Sequence, residues 1–143
     1  MKNILLVILF PLIVSCTSQK YSENIIGNWE RKLTKSEFFF DDYVVTETIS
    51  FNKNSTCLIK YDQKPPKGHS YIDWPDKFDG KYEIINNRII MKLKGGPYAK
   101  DYDEEEYGGK IYYLDDTKLV IEYLDIPIKN YNELKHRTYI KSK

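Results

Sequence analysis

Few residues in this chain are of types that do covalent chemistry, and their spacing argues against it. His69 and His136 stand at metal-ligand spacing neither from each other nor from a cysteine. The chain has no Gly-x-Ser-x-Gly elbow, no phosphate-cradling glycine loop and no dinucleotide fingerprint. Cys57 falls inside a strand-like run, where a buried thiol is usually inert. Asp101, Asp103 and Glu105 alternate as the first three ligands of an EF-hand do. Glu106 then stands where that loop needs glycine, and Tyr112 where it needs its last glutamate. The run Asp101 to Glu106 reads as a solvated acidic loop. No catalytic residue, metal site or cofactor is expected, and the protein is read as a non-enzyme.

Binding chemistry is better represented. The chain holds 13 tyrosines and 2 tryptophans, more than a small core requires. Tyr71 and Trp74 precede Pro75 in an irregular stretch from Asp62 to Lys77, outside any alternating segment. Stiffened aromatics of that kind suit recognition of a partner, or they fold over the end of the domain as a lid. Arg31 and Glu47 fall on the apolar phase of their strands. An unpaired buried charge costs several kcal/mol. The two therefore meet each other, line a wet cavity or sit at an open mouth, unless a slip of one residue turns them to solvent.

The elements that must carry these residues are strands. Period-two alternation runs from Ile25 to the C-terminus. Gly27, Trp29, Arg31 and Leu33 share one face of a first strand, and Trp29 offers a large surface to plug one end of a closed sheet. Tyr43–Phe51 and Ser55–Tyr61 flank an Asn52-Lys53-Asn54 turn, with left-handed backbone expected on the asparagines. Phe78–Ile85 and Arg88–Lys94 flank Asn86-Asn87. Gly108–Leu114 and Lys118–Leu124 flank Asp115-Asp116-Thr117, and His136–Lys141 is the last strand, after a connector with one helical turn expected at Asn132-Glu133-Leu134. About eight strands with regular turn signals point to an all-β antiparallel sandwich or barrel. Tyr61, Tyr82 and Tyr123 fall on inward phases. There they line a ligand site or, with Phe51, Phe78 and Met91, fill an interior that eight strands leave just wide enough for either outcome.

The N-terminus supplies an address. Met1-Lys2-Asn3 is a basic start, and Ile4 to Val14 is an apolar run too short to span a bilayer but suited to a secretory signal. The following Ile13-Val14-Ser15-Cys16 resembles the bacterial lipoprotein signal. That resemblance implies lipidation of Cys16 as the first mature residue and membrane attachment through the lipid. Thr17 is not the aspartate that retains some such lipoproteins at the inner membrane, so the expected site is the outer membrane, on its periplasmic or surface face. The organisation is then a signal peptide over residues 1–15, a lipidated polar tether over 16–24 and one barrel domain over 25–143. Removing Lys2 lowers the basic count from 22 to 21, equal to the 21 acids. A neutral chain carries no electrostatic footprint for nucleic acid. Cys57 becomes the sole mature thiol, and a monomer is expected.

Three stretches carry a further resemblance: Gly27-x-Trp29, Phe51-Asn52-Lys53-Asn54-Ser55-Thr56, and Gly80-Lys81-Tyr82-Glu83-Ile84-Ile85-Asn86-Asn87-Arg88-Ile89. Over roughly residues 25–124 the chain is similar to the small lipocalin-like lipoproteins of the Bacteroidota type, although the Thr-Asp-Tyr signature of lipocalins is not present. The resemblance implies an all-β, antiparallel up-and-down lipocalin-like barrel of about eight strands, closed by Gly27, Trp29 and an arginine packed on the tryptophan, for which Arg137 is the matching residue. It also implies a small apolar or amphipathic ligand in the barrel, with candidate contacts at Tyr61, Tyr82, Tyr123, Arg31, Glu47, Tyr71 and Trp74. The alternative is a protein-binding lipoprotein of inhibitor or immunity type, acting through Tyr71, Trp74 and the acidic loop.

Overall fold

The alternating runs fold into eight strands because each places its apolar residues on one face. They are β1 (Gly27–Lys32), β2 (Val44–Phe51), β3 (Thr56–Lys64), β4 (Lys77–Ile85), β5 (Arg88–Lys94), β6 (Glu104–Leu114), β7 (Lys118–Tyr123) and β8 (His136–Lys141). The computed structural model describes residues 21–33, 42–71, 76–94, 104–123 and 136–143, with Glu104, Glu105 and Tyr123 described by backbone alone. In β2 the inward set Val45, Glu47, Ile49 and Phe51 is buried throughout, while the residues between them are not. Each strand pairs antiparallel with its sequence neighbour, and β8 returns to β1. The product is a closed eight-stranded up-and-down barrel, which decides between the sandwich and the barrel that the alternation allows. Closure gives every strand a partner on both sides, with the β1–β8 seam the shortest ladder at two residue pairs.

One end of the barrel is made of tight turns. Asn86 (φ 59°) turns β4 into β5 between the paired residues Ile85 and Arg88. At the β6–β7 turn Asp115 Oδ1 accepts hydrogen bonds from Thr117 N and Lys118 N, both at 2.7 Å. At the β2–β3 turn the left-handed residue is Ser55 (φ 62°), not an asparagine. The asparagines are occupied through their side chains. Thr56 donates its hydroxyl to Asn54 Oδ1 at 2.7 Å, and Asn52 Nδ2 donates to Thr56 Oγ1 at 3.0 Å.

The strand ends that carry the longer connections (β1 to β2, β3 to β4, β5 to β6, β7 to β8) all lie at the opposite end. Much of those connections lies outside the described residues, and with them Trp74, Asp101, Asp103 and the helical turn expected at Asn132-Glu133-Leu134. So do the N-terminal signal and Cys16.

Two boundaries are corrected. The acidic stretch is not all loop, because β6 begins at Glu104 and sets Glu104 opposite Lys94 and Glu106 opposite Lys92. Opposite charges directly across a ladder favour pairing, as with Glu106 and Lys92. The last tether residues, 21–24, form a helical turn, with Ile25 N donating to the Tyr21 carbonyl at 3.1 Å. Tyr21 and Ile25 lie four apart on one side of that turn. Ile25 is fully buried and Tyr21 packs on the core, so the folded unit begins before residue 25.

Backbone approach is tightest at Gly80, paired to Cys57 on β3 and Leu93 on β5. A Cβ there would lie 1.9 Å from the Lys92 carbonyl oxygen. Glycine in a strand often marks a close approach of this kind.

Candidate functional site

The interior has two zones of different chemistry. Around the tight-turn end it is a packed apolar plug. Trp29 is 0% exposed and donates its indole Nε1–H to the Ile25 carbonyl at 2.6 Å. Phe51 and Tyr82 meet edge to face with centroids 4.9 Å apart, and the Tyr82 hydroxyl donates to the Asn52 carbonyl at 3.0 Å. Tyr82 is therefore a core residue of the plug, not part of the polar group described below. Cys57 is buried here too, and burial, reinforced by the Asp79 charge, pushes its thiol up to about 11. It stays protonated at neutral pH, and nucleophilic chemistry needs the thiolate.

The cation on Trp29 is Lys141 rather than Arg137. Lys141 Nζ sits 4.9 Å from the indole ring and 3.5 Å from the Asn24 carbonyl oxygen. The stem of Lys141 runs past Gly27, where a Cβ would lie 2.7 Å from its Cε and where φ is +131°. The register explains the correction, since Trp29 is paired with Lys141 across the β1–β8 seam. Arg137 lies four residues further along, roughly 13 Å toward the other end at strand rise.

Toward the connection end the interior carries a cluster of charged and phenolic side chains on the wall formed by β8, β1, β2 and β3. Arg31 and Glu47 are directly paired in the β1–β2 register, and Glu47 and Tyr61 in the β2–β3 register. Both registers place three polar inward residues in one row. Arg31 Nε donates to Glu47 Oε2 in a close ion pair. The Tyr61 hydroxyl donates to Glu47 Oε1 at 3.2 Å, and the Tyr139 hydroxyl to Glu47 Oε2 at 3.4 Å. Arg137 Nη1 lies 3.9 Å from Glu47 Oε1.

The β1–β8 ladder comprises two residue pairs, Trp29 with Lys141 and Glu30 with Ile140. Beyond them the two strands are bridged by the Arg31 guanidinium, 5.5 Å over the Tyr139 ring. Glu47 is the one buried polar or charged residue in the core among the described residues. Side-chain exposure rises from 2% at Glu47 to 9% at Arg31 and 18% at Arg137, and Tyr61 is partly buried, so the cluster is sealed at Glu47 and more open around it. Apolar surface adjoins it: Tyr61 meets Phe78 edge-on at 6.1 Å, and Arg137 is paired with buried Ile121.

The structure thus brings Arg31, Glu47 and Tyr61 together and adds two residues from β8. The resemblance places Arg137 on the tryptophan, and nothing in the sequence reading points to Tyr139. The signal that could have found them is the period of β8 itself, which puts Arg137, Tyr139 and Lys141 on one face. Tyr123, the last residue of β7, is paired with Gly109 of β6, and its side chain lies outside what is described. Tyr71 is 74% exposed. The stretch before it is pinned by the Tyr43 hydroxyl, which donates to the Ser70 carbonyl at 2.8 Å, and by an edge contact of Tyr43 with His69. Among the described residues no three His, Cys, Asp or Glu side chains gather as a metal site requires. No family model, curated protein or solved structure matches this chain.

Proposed function

We propose that this protein is a lipid-anchored, lipocalin-like binding protein of the bacterial envelope that holds a small amphipathic ligand in the connection end of its barrel, without catalysis. The observation that carries the reading is the buried carboxylate of Glu47. It is ringed by Arg31, Tyr61, Tyr139 and Arg137 on one wall of an interior whose other buried residues, among those described, are apolar. Burying such a network is no gain in stability over apolar packing of the same volume. An interior that is polar on one side and apolar on the other matches a ligand with the same division, and ligand sites set a few placed polar groups in apolar surroundings. The anchor rests on the Ile13-Val14-Ser15-Cys16 sequence.

The test is native mass spectrometry of the full protein gently extracted from its envelope. The expected result is a co-purifying mass of a few hundred daltons that is lost on Arg31→Met. A bare protein mass, with no uptake of a fluorescent fatty amphiphile added afterwards, would remove the ligand reading. Cys16→Ala should release the protein from the membrane fraction or leave it unprocessed, and a mature, membrane-bound mutant would remove the anchor.

The exposed Tyr71, next to Ser70 whose carbonyl is held by the Tyr43 hydroxyl, favours a second reading, in which the surface at the same end contacts a protein. Capture of an envelope protein that is lost on Tyr71→Ala, with the barrel empty, would favour it over the first.

A further inference from the structure

We infer that the barrel rests its tight-turn end on the lipid surface that carries the anchor, through the outer face of β6, β7 and β8 around Tyr113 and Ile140, and so turns its connection end away from the membrane. The inference rests on the anchor proposed above and goes beyond it, since an anchor by itself leaves every face free to meet the bilayer.

Large apolar side chains are exposed unevenly. Among the described residues Ile85, Tyr112, Tyr113 and Ile140 lie at or near the tight turns, each 47–66% exposed, and only Val44 and Tyr71 are exposed at the other end. The two tyrosines owe their exposure to a bulge in β6 between Ile111 and Tyr113. Ile111 is buried and Leu114 packs on the core, although residues three apart on a regular strand face opposite ways. The extra residue lets both turn inward and leaves Tyr112 and Tyr113 together outside, the re-aiming that bulges provide. Tyr113 and Ile140 are neighbours across β7, because Lys118 is paired with Ile140 and holds its Nζ 5.8 Å from the Tyr113 ring centroid.

The anchor leaves from the same place. Lys141, next to Ile140, has its Nζ 3.5 Å from the carbonyl oxygen of Asn24, in the helical turn over 21–24. Five residue steps separate Tyr21 from Cys16, and a chain of that length spans at most about 18 Å. Strand β2 alone rises about 26 Å over its 8 residues. A lipid on Cys16 therefore keeps the tight-turn end, and this patch with it, within reach of the bilayer.

The residue types fit a bilayer interface. Tyrosine sits at headgroup level with its ring against the acyl region and its hydroxyl in water. A lysine stem lies along apolar surface while its ammonium stays hydrated, as Lys118 does beside Tyr113. Two tyrosines and an isoleucine about half exposed offer roughly 300 Å², well below the about 800 Å² per partner of a standard protein interface. That area suffices for a contact the tether has already made intramolecular, at an effective concentration of order millimolar.

The experiment uses the full lipidated protein in vesicles of phosphatidylethanolamine and phosphatidylglycerol. Ile140→Cys and Val44→Cys, both at exposed positions, are labelled with a polarity-sensitive fluorophore. Cys57 is buried and its thiol stays protonated, so it escapes the label. A spin-labelled lipid should quench the probe at Ile140 at least about threefold more than the probe at Val44, since interfacial side chains sit about 5–10 Å into the headgroup–acyl boundary. Tyr112→Ser with Tyr113→Ser should weaken that quenching. A probe at Tyr112 reads the same face should Ile140→Cys not fold.

Flotation of the vesicles reads the anchor separately. Protein that floats but is quenched equally at both ends, or more at Val44, overturns the inference and leaves the anchor standing. Emission at Ile140 that shifts with protein density and not with spin-labelled lipid marks a second copy on this face, and overturns the lipid contact. Protein that does not float overturns the anchor and the inference together.

Discussion

Replacing Glu47 by glutamine tests whether the interior cluster is a true buried charge network. The change keeps size and shape but removes the negative charge facing Arg31 and Arg137. It also leaves one acceptor oxygen where two served Arg31 Nε and the hydroxyls of Tyr61 and Tyr139, so an amide N–H₂ now points at a donor. Charges about 4 Å apart attract by roughly 4 kcal/mol at an effective dielectric of about 20. Breaking a buried pair on one side typically costs about 3–5 kcal/mol. With the Glu47 side chain only 2% exposed, little solvent screening reduces that figure.

A loss of about 3–4 kcal/mol is expected, a large share of the roughly 5–15 kcal/mol that a domain possesses. For a urea slope of about 2 kcal/mol per molar the midpoint falls by about 1.5–2 M, read from tryptophan fluorescence. Combining Glu47→Gln with Arg31→Met should be milder than the sum of the two, by at least about 1.5 kcal/mol, because the stranded cation is gone. A midpoint within about 0.3 M of the parent, or additive effects, would show that water compensates the cluster and that the burial argument fails.

Trp29→Ala should cost about 3–5 kcal/mol as a fully buried large aromatic, and Trp29→Phe less, since it keeps most of the bulk and loses the bond to the Ile25 carbonyl. An unchanged denaturation midpoint for the alanine variant would contradict the plug. Gly80→Ala should destabilise by about 2 kcal/mol or more, because the added methyl meets main chain that must shift; a calorimetric melting temperature equal to the parent's would refute that. Cys57, in the intact protein at pH 8, should alkylate at least about a hundredfold more slowly than in urea-unfolded chain, as peptide mapping can follow, because nucleophilic thiolate forms only on opening. Its thiol is raised by folding, so its contribution to stability is complete below pH 9 and is lost as pH rises toward about 11. The parent should therefore lose stability more steeply over that window than Cys57→Val, and parallel curves would argue against the shift.

The alternation of β2 and of β4 is written in adjacent residues, because successive side chains on a strand point to opposite faces whatever the rest of the molecule does. The same local rule turned Arg31 and Glu47 inward, and Asn86 marked its own hairpin. Trp29 was recognisable as a plug because no outward position suits so large an apolar side chain beside so few alternatives. What local pattern left open is which residues meet across ladders joined late in the chain. The β1–β8 seam pairs Trp29 with Lys141, and that offset is the sum of the staggers of seven preceding ladders. A change of two residues in that sum keeps every inward face inward, yet it would move Arg137 toward the tryptophan and Lys141 out of the barrel.

Likewise, residues 104–106 join β6 because β5 offers a strand to pair with, Lys92 standing opposite Glu106, and residues 21–24 coil where a barrel end exists for Ile25 to enter. Period is a property of the chain's own stereochemistry. The polar cluster is a property of closure, because Arg137 and Tyr139 reach Glu47 only when the last strand has met the first.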